Sequence, residues 1–226
     1  MNILVIDCAV TRLSIAVKTD DKFISHTYDI GMRQSEILVP VIDELLGKAG
    51  ITSKELNYSA LTIGPGSFTG LRLGISALKA IELAYNVPVY GISSLAAYSY
   101  SFENFCLPVL AGIDANKDKF YARITDGTNI ILEDGDYEVS EISAEVSVFE
   151  KIIVCGPNAE KLALSLKDAG CKTELIVQKA NALTTEALIK ITEEMIEKGE
   201  KPLQDYDGPV YLRASEAELA LNKKSE

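Results

Sequence analysis

The sequence predicts an α/β protein of two similar lobes, each running in the order βββαβα, and three observations carry that prediction. An apolar, β-capable run ending in an acid occurs twice, at residues 2–7 and 107–114, and two further strand-like segments follow each copy. A short buried strand running into Gly-Pro also occurs twice, ending at Gly64-Pro65 and at Gly156-Pro157, with a helical pattern after each. Between the strands lie segments with helical spacing of apolar residues, the alternation from which α/β sheets are built. The shared order, more than residue identity, marks an internal duplication. The boundary falls near residue 100. This gives an N-terminal lobe of residues 1–100 and a C-terminal lobe of residues 101–226, whose last helix is expected to cross back to the first.

The elements follow in order. Residues 2–7, 13–18 and 23–29 form a three-strand meander that turns at Asp20-Asp21. Residues 34–46 form a helix with Ile37, Leu38, Val41, Ile42, Leu45 and Leu46 at helical spacing. Ser35 or an earlier residue caps it, Gly47 or Gly50 ends it, and Pro40 predicts a kink or a late start. A strand at 59–63 runs through Gly64-Pro65-Gly66-Ser67 into a helix at 68–85; a strand at 87–92 and a helix at 93–100 close this half. Strands at 107–114, 119–125 and 129–132 repeat the meander, with a turn at Asp126-Gly127. The strand at 151–155 passes through Gly156-Pro157-Asn158 into a helix beginning near Ala159. Residues 184–198 read as an amphipathic helix, and the tail beyond Glu216 is expected to fray. Tyr98, Tyr100, Phe102 and Phe105 lie where the lobes join and are expected to fill the core between them rather than bind a base.

Composition narrows the function. Basic residues number 22 and acidic ones 33, a net charge of −11, which argues against a basic groove for tRNA or DNA. No apolar run approaches the roughly 18–20 residues that span a bilayer. The opening MNILVIDCAV has no basic leader and is interrupted by Asp7, so it reads as a strand rather than a signal peptide. Cys8, Cys106, Cys155 and Cys171 are scattered and His26 is the one histidine, which leaves neither a zinc site nor a histidine-dependent triad with the residues it needs. Four scattered thiols point to a reducing, cytoplasmic setting.

The most distinctive segment is Gly64-Pro65-Gly66-Ser67-Phe68-Thr69-Gly70-Leu71-Arg72-Leu73-Gly74. Glycines ahead of a helix can form a phosphate loop, but the Gly-Lys-Ser/Thr end of a Walker loop is missing and the spacing is not that of a dinucleotide fingerprint. Alternatively the glycines pack helices. Gly66, Gly70 and Gly74 recur every four residues, and Ala77, Leu78 and Ile81 continue that face. A glycine inside a helix costs about 0.5–1 kcal/mol relative to Ala, so a stripe of them implies close contact that offsets the cost. The contact can be internal; the companion apolar surface at 34–46 favours another chain, as a four-helix interface. The candidate partner-binding residues are Glu36, Ile37, Val41 and Leu45 on the first helix. On the second they are Gly66, Phe68, Gly70, Arg72, Leu73, Gly74, Ala77, Leu78 and Ile81. Arg72 either pairs with an acid such as Glu36 or Glu44 across that interface or stays solvated.

This glycine segment closely resembles the signature of the bacterial TsaB (YeaZ) family of tRNA threonylcarbamoyladenosine biosynthesis proteins. Residues 3–7, Ser35-Glu36 through Leu46, Ile113-Asp114-Ala115 with Phe120-Tyr121, and the C-terminal box Pro209-Val210-Tyr211-Leu212-Arg213 extend the resemblance over most of the chain. Gln34 departs from it, standing where many members carry His; either residue can serve capping at the helix start. The resemblance implies a two-lobed actin/Hsp70-like ATPase (ASKHA) fold. It further implies a non-catalytic paralogue of TsaD, the enzyme that transfers threonylcarbamoyl to adenosine 37 of tRNAs reading codons that begin with A. TsaD would pair with the two N-terminal-lobe helices and TsaE would join the assembly. A homodimer would use the same surface, and tRNA would be met only indirectly.

An ATPase of this fold needs glycine-rich hairpins around the phosphates. Here the hairpins read Asp7-Cys8-Ala9-Val10-Thr11 and Asp114-Ala115-Asn116-Lys117-Asp118, without glycine, and Cys155-Gly156-Pro157-Asn158 stands where an adenine-contacting Gly-Gly would. Asp7 and Asp114 either hold a Mg²⁺ ion through water or cap nearby N–H groups, and capping is the expectation. No catalytic residue, cofactor or metal is expected. Two other readings compete: a small-molecule phosphotransferase of the same fold, and a self-contained structural homodimer. Tyr211 and Arg213 are expected to anchor the tail to the body.

Overall fold

The computed structural model describes residues 1–178 and 184–213, so the fraying expected beyond Glu216 lies outside the described residues. The first half contains strands β1 (Ile3–Asp7), β2 (Arg12–Lys18), β3 (Phe23–Asp29), β4 (Tyr58–Gly64) and β5 (Val89–Ser93). Helix α1 (Gln34–Ala49) links β3 to β4, α2 (Phe68–Tyr85) links β4 to β5, and α3 (Ser94–Tyr100) follows. The second half contains β6 (Val109–Asp114), β7 (Lys119–Asp126), β8 (Asn129–Glu138), α4 (Val139–Val146), β9 (Lys151–Cys155), α5 (Ala159–Asp168), β10 (Glu174–Val177) and α6 (Thr184–Glu197).

Each half forms one five-stranded sheet, ordered β3-β2-β1-β4-β5 and β10-β9-β6-β7-β8. In both, the first strand lies at the centre. β1 pairs antiparallel with β2 and parallel with β4, and β6 pairs in the same way with β7 and β9. The duplication is therefore a repeat of topology. Every residue of β1 is buried because both faces of its sheet are covered. Leu4 and Ile6 face α1 and α2, whereas Ile3 and Val5 face Leu188 and Ile189 of α6. In the second sheet, Leu110 and Val154 meet α4 and α5 on one face. On the other, Val109, Ala111, Ile153 and Cys155 meet Leu95 and Tyr98 of α3, with Phe102 beyond it. Each sheet thus borrows a covering helix from the other half of the chain.

Four local differences from the sequence reading have physical causes. α1 runs past Gly47 to Gly50, whose φ of 81° makes the left-handed stop that glycine adopts without steric penalty. Its start has no side-chain cap; a single 3₁₀ turn, Gly31–Arg33, leads in, and Pro40 sits exposed inside a helix that continues through it. β8 extends to Glu138, beyond the end expected at Leu132, because Asp134 and Asp136 are neutralised by Arg123 and Arg213. Finally, β10 is an additional element, and α4, the helix that the repeat implies without giving its bounds, begins with Glu138 and Glu141 in a reciprocal capping box. Of the aromatic group at the lobe junction, Tyr98 and Phe102 enter the core, Tyr100 donates to Glu194 at 2.8 Å, and Phe105 is exposed.

Candidate partner-binding face and interlobe cleft

α2 begins at Ser67, whose hydroxyl accepts from the Gly70 amide at 3.3 Å. The Ser67 amide in turn donates to the Ala9 carbonyl at 2.6 Å, clamping the helix onto the β1–β2 hairpin. The glycines belong to that clamp. A methyl group at Gly66 would strike the Ala9 carbonyl oxygen, one at Gly70 the Cys8 carbonyl oxygen, and one at Gly74 would lie 2.6 Å from the Cys8 sulfur. Cys8 closes the contact by donating its thiol to the Gly70 carbonyl at 2.9 Å, and burial pushes its pKa up to about 12.

The expectation that this stripe waits bare for a partner is thus corrected: the first lobe fills it with its own hairpin. Gly70 and Gly74 are buried, and so are Val41, Leu45 and Leu78, which form the core between the helices and the sheet. The i, i+4 spacing is equally that of a core face, and sequence alone did not say which neighbour occupied it. The remaining candidates do reach the surface. Glu36 and Arg72 are exposed, and Gly66, Ile37, Phe68, Leu73, Ala77 and Ile81 are partly so. Ile37 from α1 and Leu73, Ala77 and Ile81 from α2 pack onto the edge of the core while keeping an outer surface.

Within the chain, Arg72 is held by aromatic side chains. Glu44 is bonded to Lys48 at 2.5 Å. Arg72 Nε donates to the Tyr211 hydroxyl at 2.8 Å, its guanidinium lies over the rings of Phe68 and Tyr211, and those rings stack at 4.1 Å. The anchoring role of the C-terminal box is therefore real. Arg213 binds both oxygens of Asp136 at 2.8 Å and donates to the Ala115 carbonyl at 2.7 Å. What the sequence did not reveal is that Tyr211 anchors on the glycine segment itself, through Phe68 and Arg72.

Between the lobes lies a cleft of about 960 Å³, lined by both hairpins, the start of α2 and Arg213. The two strand-end acids turn inward here. Asp7 accepts from the Ala9 amide at 3.1 Å and the Thr62 hydroxyl at 3.0 Å, and burial raises its pKa. Asp114 accepts from the Asn116 amide at 3.0 Å and from Lys161 at 2.5 Å. Both act as caps for their hairpins. The second hairpin passes through Asn116, Lys117 and Asp118, all at positive φ (60°, 55° and 57°), a left-handed turn built without glycine. Gln34, expected to cap α1, instead donates to the Val10 carbonyl at 2.6 Å and props the first hairpin against the helix.

With this geometry established, comparison with known proteins is specific. A family model described as TsaD, tRNA N6-adenosine threonylcarbamoyltransferase, matches residues 31–163. The Escherichia coli K12 protein named tRNA threonylcarbamoyladenosine biosynthesis protein TsaB is 26% identical over 221 residues, covering 94% of this chain and 95% of that protein. The Bacillus subtilis 168 tRNA N6-adenosine threonylcarbamoyltransferase is 37% identical over 79 residues, 34% of this chain and 23% of that one. The structure of YeaZ from Pseudomonas aeruginosa superposes with a TM-score of 0.75 at 21% identity, covering 93% of this chain and 100% of that chain. The fold is the two-lobed actin/Hsp70-like ATPase fold of YeaZ. With more than half its length matched by the family model and a TsaB relative aligned nearly end to end, the chain belongs to the TsaD family and resembles its TsaB (YeaZ) members.

Proposed function

We propose that this chain acts in threonylcarbamoyladenosine formation on tRNA as a non-catalytic subunit that binds a TsaD-type transferase through α1 and α2, with TsaE joining the assembly. The observation that carries the reading is the state of the cleft hairpins. An ATPase of this fold would aim hairpin amides at nucleotide phosphates, and here the Ala9 and Asn116 amides are donated to Asp7 and Asp114. The Ala9 carbonyl is capped by Ser67, and neither hairpin has a glycine to let phosphate approach the backbone. This disposition favours a subunit that does not turn over a nucleoside triphosphate itself. Outside the cleft, the surface suited to contact is the apolar strip of Ile37, Leu73, Ala77 and Ile81 between the exposed sides of the two helices.

The deciding experiment is reconstitution. Purified TsaD-type and TsaE-type proteins are expected to form threonylcarbamoyladenosine on tRNA only when this chain is added, and the chain alone is expected to form none. Equal product without it would end the subunit reading. Turnover of ATP by the chain alone would end the non-catalytic one.

A further inference from the structure

After α6 the chain forms a strap that returns across the first lobe. The Leu203 amide donates to the Val89 carbonyl at 2.7 Å, and Lys79 of α2 donates to the Leu203 and Gln204 carbonyls, each at 2.9 Å. The Val210 amide then donates to the Ile63 carbonyl at 2.7 Å. Three residues on, Arg213 grips Asp136 of the second lobe. Tyr211 is therefore held between two anchors, one on each lobe. Its ring lies flat on Phe68, with an angle of 5° between the planes, and its hydroxyl oxygen accepts a hydrogen bond from Arg72 Nε.

The consequence falls on Arg72. An exposed arginine ordinarily samples many rotamers, and fixing it on binding costs conformational entropy. Here one donor and both flanking rings already fix it. The terminal nitrogens of the guanidinium remain, and no carboxylate among the described residues forms a salt bridge with them. A chain of net charge −11 thus displays an oriented cation, without a carboxylate counterpart among the described residues, beside the apolar strip of the helix pair.

We propose that the strap is part of the partner-binding face, with Tyr211 as the positioning residue that presents Arg72 to a carboxylate on the facing helix of a paralogous, TsaD-type subunit. This rests on the partner reading above and deepens it: the interface becomes helix pair plus strap, and a planar two-donor fork selects a carboxylate over a neutral acceptor.

The test is a titration of the purified TsaD-type subunit with the full chain and its variants, each first shown by circular dichroism to be folded. Arg72→Ala is expected to weaken binding at least about tenfold, as removal of an interface hot spot does. Tyr211→Phe keeps the ring stack and loses only the bond to Arg72 Nε, so a several-fold loss is expected. Arg72→Ala combined with Tyr211→Phe is expected to bind no worse than Arg72→Ala alone, because the hydroxyl acts only through that arginine. Tyr211→Phe binding as tightly as wild type, or losses that add in the double variant, would overturn the inference while leaving the partner reading intact. Failure of the wild-type chain to bind would overturn both.

Discussion

Gly70 shows how much one missing side chain decides. Its Cα lies so close to the Cys8 carbonyl that even a methyl group would overlap backbone, which cannot rotate away. Gly70→Ala is therefore expected to destabilise the chain by about 1–3 kcal/mol through overpacking, read as a lower urea midpoint in a protein that has no partner present. An unchanged midpoint would return the glycines to the interface. Asp7 makes a complementary case. Burial holds its carboxyl above the usual 3.8. Between that value and the folded one, the folded state keeps a proton that the unfolded state has released, so stability falls as pH rises through this interval and stays lowered at neutral pH. Asp7→Asn retains an oxygen for the Ala9 and Thr62 donors and never ionises. It is expected to be more stable than wild type at neutral pH, with the gap closing as pH approaches 3.8. A variant less stable at neutral pH would mean that the charge itself is needed there.

At the scale of elements, α1 and α2 each divide into a core face and an outer strip, and on the proposed reading the division separates stability from pairing. Leu73 lies on the strip, part-buried beside Ile37. Leu73→Glu is expected to leave the unfolding midpoint within about 1 kcal/mol of wild type. Binding of a TsaD-type subunit should nevertheless fall at least about tenfold, because a carboxylate would be buried without a partner. Loss of fold, or binding unaffected, would move the interface elsewhere. The sequence made most of these elements legible: α2 and β9 have the bounds that the pattern predicts, because Ser67 caps one and a Gly-Pro turn ends the other. It misled where a local signal meets a distant partner. The strand expected to end at Leu132 runs on through acids that Arg123 and Arg213 neutralise, and Gly66, Gly70 and Gly74 read as bare until the hairpin of Cys8 and Ala9 fills them. Tyr211 and Phe68 are far apart in sequence, and no periodicity links a stacked pair of that separation.

The whole molecule is less divisible than its repeat suggests. α3 precedes the midpoint of the chain and covers the second sheet, while α6 comes from the far end and covers the first. Cutting the chain after residue 100 would strip Ile3, Val5, Ala60 and Ile92 of Leu188 and Ile189, exposing a contiguous apolar face of a central sheet. Polar ties across the lobes add to this: Ser93, which caps α3, donates to Asp134 of β8, and the strap ends on Asp136. A fragment of residues 1–100 is therefore expected to aggregate or to lack cooperative unfolding. The full chain is expected to unfold in a single urea transition, with near- and far-ultraviolet circular dichroism superimposed. The repeat supplies the topology of each lobe, but the exchanged helices make either lobe's stability depend on the other, so a folded fragment or two separated transitions would contradict that mutual dependence. On the proposed reading, a body whose hairpins are capped in this way would serve as a surface for another chain rather than open and close around a nucleotide of its own.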